Sequence, residues 1–219
     1  MPSVIVSDAV HEYLSQQRRP PDPVLAEMEE HGAREGIPIV VPQTGALLHV
    51  LALACGARRI LEVGTAIGVS TLYLARALPE DGQLVSFEID AERQAAARDY
   101  LERAGVVDRV DLRLEDAREG LRELDGHFDL GFLDGVKAQY GEYLDGVLPL
   151  LRPGGVLVVD NVLRRGLVAE GHGDGTLSDQ DIVNARGFNQ RLLEDERLQT
   201  TITPVGDGVL IGVVVRGSG

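Results

Sequence analysis

Asp134, Lys137, Asp160 and Asn161 are the residues of this chain whose types are best suited to chemistry. Two carboxylates and an amide oxygen are hard donors. They suit Mg2+ first, with Mn2+ or Ca2+ as alternatives, and not Zn2+, which favours His and Cys. Three protein oxygens would leave positions open for water and substrate. Lys137 follows Asp134 by three residues. An amine there can act as general base toward a hydroxyl held by the same ion.

A second set reads as a cofactor cradle. Leu61-Glu62-Val63-Gly64-Thr65-Ala66-Ile67-Gly68-Val69-Ser70 is an apolar strand that passes through a glycine loop into a helix. Such a loop turns backbone N–H groups and a helix N-terminus toward a ligand. The glycines are spaced G-x-x-x-G rather than G-x-G-x-x-G, and Glu62 sits on the strand two residues before the first. Both details point away from a dinucleotide, and so from a nicotinamide oxidoreductase, and toward S-adenosylmethionine. Glu88 lies 20 residues beyond Gly68, at the end of the next strand. A carboxylate there can accept hydrogen bonds from ribose hydroxyls. Ser70 can cap the following helix or bind a carboxylate at its N-terminus. None of the five histidines has metal-ligand spacing.

These residues need elements to bring them together. Strand patterns cover 59–63, 84–89, 110–114, 128–133 and 155–159, and helical stretches separate them at 70–78, 91–104, 117–124 and 138–148. Five alternations predict a parallel sheet covered on both faces. Its carboxyl-end rim would then carry Glu62, Glu88, Glu115, Asp116, Asp134 and Asp160. Like charges gathered on one rim repel, which makes sense if cationic ligands sit among them. A helix over 179–195 follows, then strands over 198–204 and 209–215 around an Asp207-Gly208 turn, predicting an antiparallel finish. Residues 164–178 are glycine-rich and read as a mobile loop near the site. Ahead of the alternating part, residues 1–57 read as a helical extension over 4–17, 24–35 and from Pro42 to near Gly56, packed on a core of 58–219.

The bulk properties fit one α/β domain of 219 residues. The net charge is −14, which disfavours nucleic acid and anionic membranes as partners. Cys55 is the only cysteine, so no intrachain disulfide forms, as suits a reducing cytoplasm. No signal pattern or membrane-length apolar run is present in the sequence.

Taken together, the 61–70 loop, Phe87-Glu88-Ile89-Asp90, Asp134-x-x-Lys137, Asp160-Asn161 and Gly206-Asp207-Gly208 resemble the metal-dependent O-methyltransferases of the class I S-adenosylmethionine-binding fold. That group contains catechol and caffeoyl-CoA O-methyltransferases. The resemblance spans residues 36–215. It implies a Rossmann-like α/β fold: a mostly parallel seven-stranded sheet with an antiparallel C-terminal hairpin and extra N-terminal helices. It implies cofactor contacts at Val40, Glu62, Gly64, Thr65, Ser70, Glu88 and Ala117; Gly68 and Asp134 complete that set. It implies metal ligands at Asp134, Asp160 and Asn161, a base at Lys137, and a homodimer. The expected acceptor is a small catechol-like or phenolic molecule. Two stretches, 160–170 and 204–208, also resemble bacterial tRNA 5-hydroxyuridine methyltransferases. There the acidic charge argues against tRNA, although Arg164 and Arg165 offer a phosphate contact.

Overall fold

The computed structural model describes residues 8–215. The start of the expected 4–17 helix lies outside these; its described part is α1 (Asp8–Gln16). Next comes α2 (Pro23–Glu35). Asp22 caps it by accepting from Val24 N and Leu25 N, Pro23 occupies the first turn, and Gly36 ends it at φ 65°. Helix α3 (Pro42–Ala54) also opens on proline. The alternating part follows as β1 (Arg59–Val63), α4 (Val69–Ala75), β2 (Gln83–Glu88), α5 (Ala91–Arg103), β3 (Val110–Leu114), α6 (Ala117–Gly120), β4 (Phe128–Leu133), α7 (Tyr140–Val147) and β5 (Leu151–Val159). The chain ends with α8 (Leu167–Glu170), α9 (Asp179–Glu194), β6 (Leu198–Thr203) and β7 (Val209–Val214).

The seven strands form one sheet in the order β3-β2-β1-β4-β5-β7-β6. Strands β1 to β5 are parallel, and β7 runs antiparallel to both β5 and β6. The expected fold class is the observed one. Alternate residues feed opposite cores. Ile60, Leu84, Phe132 and Val158 pack with Met28, Leu48, Leu72 and Leu101 from α2–α5. Leu61, Phe87, Leu133 and Val159 pack with Tyr140, Leu144, Leu192 and Leu210 on the other face. Period-two alternation between two covered faces makes the central strands β1, β2, β4 and the second half of β5 buried nearly throughout, while the edge strands β3 and β6 keep polar, exposed positions.

Register places the site. Val63 pairs with Phe87 on one side and Leu133 on the other, and Leu133 pairs with Val159. The four strands therefore end level. Gly64, Asp134 and Asp160, which follow their strands, and Glu88, the last residue of β2, come to one rim. The strand order reverses between β1 and β4, where open α/β sheets bind ligands.

Some boundaries differ from expectation. Strand β2 stops at Glu88, because the Glu88 carboxylate takes the Ile89 and Asp90 N–H groups out of the ladder. Strand β5 begins earlier, at Leu151, with a register break opposite Phe128–Leu130. Residues 137–139 form a tight 3₁₀ turn before α7, so Lys137 stands at an elbow rather than inside a helix. The 164–178 stretch contains a 3₁₀ turn over Arg164–Gly166 and α8; then Asp174 Oδ1 accepts from Thr176 N and Leu177 N.

Candidate active site

The rim opens into a cleft of about 490 Å³. One wall is the glycine loop. Gly64 (φ 102°) must be glycine, since a Cβ would stand 2.5 Å from the Asp134 carbonyl oxygen. Gly64 N and Thr65 N both donate to the Phe87 carbonyl, at 3.0 and 3.1 Å. Glu88 is buried and lines the cleft. Its Oε2 accepts from Ala66 N at 2.7 Å, and its Oε1 from Ile89 N and Asp90 N at 2.9 and 3.0 Å. A carboxylate held this way keeps its position while its remaining lone pairs can meet ligand hydroxyls.

Val40, Gly64, Thr65, Ser70, Glu88, Ala117 and Asp134 all line the cleft. Glu62 and Gly68 do not. Gly68 caps α4 at φ 90°, and a Cβ there would press on Ala97 of α5 at 3.1 Å, so its smallness serves packing. Glu62 is fully buried beneath the loop. Its Oε2 accepts from Thr71 Oγ1 at 2.6 Å and Ser86 Oγ at 2.7 Å, and Thr65 Oγ1 joins Ser86 Oγ at 2.5 Å. Its Oε1 has no partner among the described residues. Burial pushes the carboxyl up to about 7, against the pull of the hydroxyl donors.

The opposite wall carries Asp134, Gly135, Val136, Lys137, Tyr143, Asp160 and Asn161. The Asp134 carboxylate pairs with Lys137 Nζ. Burial raises the Asp134 carboxyl, and Lys137 opposes that. Asp160 is raised by burial first and by repulsion from Asp134 second. Among the described residues its carboxylate accepts only the Asn161 N–H, at 2.7 Å. Asn161 itself sits at φ 58°, a left-handed conformation. Half-buried Asp134, buried Asp160 and an amide oxygen on one wall are a fit donor set for a hard divalent cation. Among the described residues no group of three His, Cys, Asp or Glu could hold a metal, which agrees with a set of only two carboxylates.

Several residues here were missed by the sequence reading. The Tyr140 hydroxyl donates to the Asp160 carbonyl at 3.1 Å, and its ring faces Lys137 Nζ and the Arg164 guanidinium at 5.2 and 5.8 Å. Full burial keeps that hydroxyl protonated as a donor. Ile89 stands 67% exposed at the cleft mouth, an apolar surface turned to solvent beside Glu88. Pro38, Ile39 and Arg93 also line the cleft, as do Asp90 and Glu115, which the strand ends place near the rim. Ile89 reads from the sequence as the last residue of its strand, and its exposure shows only in the structure. Asp116 does not take part; it caps α6 and pairs with Arg118.

Comparison with known proteins bears on this geometry. A family model described as O-methyltransferase matches residues 15–215. The chain belongs to that O-methyltransferase family. A catechol O-methyltransferase of Niastella koreensis is 35% identical to it, over 95% of this chain and 98% of its own. Tricin synthase 1 of Oryza sativa subsp. japonica is 39% identical, over 75% of this chain and 70% of its own. Among solved structures, the O-methyltransferase TomG from Streptomyces achromogenes, in complex with S-adenosylmethionine, superposes with a TM-score of 0.81 at 34% identity, covering 95% of this chain and 96% of that one. An O-methyltransferase from Bacillus cereus in complex with S-adenosylhomocysteine gives 0.80 at 34%, covering 94% and 97%. An O-methyltransferase must seat a methyl donor and an acceptor hydroxyl together. The two walls of this cleft face one shared space of suitable polarity.

Proposed function

We propose that this O-methyltransferase takes its methyl group from S-adenosylmethionine and delivers it to a hydroxyl of a catechol-like or phenolic small molecule held by a divalent cation. What carries the reading is one juxtaposition: Asp134, Lys137, Asp160 and Asn161 face the same cleft as Gly64 and Glu88. Support for the donor comes from the Glu88 carboxylate on the wall and from the relatives bound to that cofactor or its product.

In this reading Glu88 holds the ribose hydroxyls, while Val40, Gly64, Thr65, Ser70 and Ala117 seat the rest of the donor. Asp134, Asp160 and Asn161 would hold the cation, Mg2+ being favoured over Mn2+ or Ca2+. The cation, when bound, makes the acceptor hydroxyl more acidic, and the sulfonium supplies an electrophilic methyl group. Lys137 Nζ takes the hydroxyl proton. The two walls keep the oxygen and the methyl in line at near-attack distance. The test is transfer from labelled cofactor to a catechol panel with added Mg2+. Transfer that persists unchanged in excess EDTA removes the cation. Transfer to tRNA that carries 5-hydroxyuridine without its methyl group, and none to catechols, would move the acceptor to RNA, which the charge of −14 opposes.

The chain is proposed to work as a homodimer in the cytoplasm. Exposed Tyr13 and Leu14 on α1 and Val50 and Leu53 on α3 support the first, and sedimentation velocity tests it. The lone Cys55 supports the second. Among the described residues no helix is long and apolar enough to cross a membrane.

A further inference from the structure

The Gly206-Asp207-Gly208 motif has no part in the chemistry above, yet it grips the loop that carries Asn161. The turn over 205–208 joins β6 to β7 and closes with Gly208 N donating to the Val205 carbonyl at 2.9 Å. It holds the neighbouring loop at three points. Val162 N donates to the Gly208 carbonyl and Leu163 N to the Asp207 carbonyl, both at 3.0 Å. Arg165 N donates to the Asp207 carboxylate. A Cβ on Gly208 would stand 2.3 Å from Leu163 Cγ, so turn and loop are packed tightly together. From α9, Asn189 Nδ2 donates to the Val162 carbonyl at 2.8 Å.

The loop needs to be held. Asn161, Arg164 and Arg165 have φ of 58°, 50° and 57°, and none is glycine. The left-handed region costs an L-residue roughly 1–2 kcal/mol, least for Asn. Such outliers persist only where the surroundings impose them. The turn also reaches the other wall. A Cβ on Gly206 would lie 2.7 Å from Thr44 Oγ1 and 3.1 Å from Val41 Cγ2, beside Val40 of the cofactor side.

We propose that Asp207 is a positioning residue: its carboxylate clamps the 161–165 loop in its left-handed path and so sets the Asn161 amide beside Asp134 and Asp160. The role rests on the reading of those three residues as cation ligands. The main-chain bonds of the turn survive any substitution at 207, so the side-chain bond to Arg165 N can be removed alone.

The test uses the whole protein without ligands, followed by hydrogen–deuterium exchange, and then by titration with Mn2+ and with S-adenosylhomocysteine. In Asp207→Ala, exchange at 161–166 should rise about tenfold, the loss of one charged hydrogen bond, and Mn2+ affinity should fall about as much. Exchange at 64–70 and S-adenosylhomocysteine affinity should stay within about twofold, since the cofactor wall keeps its own bonds. Asp207→Asn keeps an oxygen acceptor and should restore most of the protection. Unchanged exchange in the alanine variant overturns the clamp, and so does an asparagine variant that exchanges as fast as alanine. Faster exchange with full Mn2+ affinity overturns the positioning of Asn161. If the unmodified protein binds no Mn2+, the cation reading fails on its own, and the exchange data still decide the clamp.

Discussion

On the wall built by β1 and β2, carboxylates are tied down by neutral donors. Glu88 receives three backbone N–H groups, and Glu62 receives two hydroxyls on one oxygen. On the wall built by β4 and β5, half-buried Asp134 and buried Asp160 repel each other, Lys137 pairs with Asp134, and Asn161 beside them is left-handed. Both walls grow from level ends of the same sheet. The first is arranged before any ligand arrives, so a ligand can bind it with little rearrangement. The second is held in an unfavourable state by its surroundings, and a positive ligand relieves it.

Four outcomes test this contrast. Removing divalent cations with EDTA should abolish methyl transfer while S-adenosylhomocysteine still binds in calorimetry; loss of both would erase the difference between the walls. Lys137→Ala should lower turnover by about 10²–10⁴-fold, the usual scale for a general base, with cofactor affinity unchanged. Wild-type turnover in that variant would remove Lys137 as base.

The third outcome concerns pH. The Glu62 carboxyl is raised from an ordinary 4.5 to about 7 by burial. Below pH 4.5 the folded and unfolded chains both carry its proton. Between 4.5 and 7 only the folded chain does, so this group makes stability fall as pH rises, by about 3 kcal/mol in full. Denaturant titrations of the ligand-free protein should therefore show Glu62→Gln gaining on the parent across that window. Parallel curves would contradict the buried, protonated acid. The smallest effect is expected for Glu88→Gln: about tenfold weaker cofactor binding, from one charged hydrogen bond, with saturated turnover kept. A fall in saturated turnover instead would tie Glu88 to the reacting centre.

The fold was readable because the central strands are short apolar runs and some helices carry their own start signal, as Asp22-Pro23 and Pro42 show. The cleft was readable in part. Strand ends could be located by pattern, and a parallel sheet collects strand ends on one rim. Depth could not be located. Glu62 and Glu88 look alike as strand-end acids, yet Glu62 lies under the loop and Glu88 on the wall. Gly64 and Gly68 look alike as loop glycines, yet one makes room for the Asp134 backbone and the other for α5. Tyr140 was invisible because its partners, the Asp160 carbonyl and Lys137, meet it only through packing.

Residue type and spacing alone determined the strand–loop–helix cradle, the oxygen-bearing residues Asp134, Asp160 and Asn161 at strand ends, the lysine three places after Asp134 and the hairpin turn. These are local facts, set by side-chain chemistry and by periods of two and 3.6 residues. Tertiary structure alone decided which acids reach the cleft, which glycine meets which neighbour, and how the Asp207 turn holds the Asn161 loop. Those depend on strand register and on contacts between segments far apart in the chain, which no local pattern encodes.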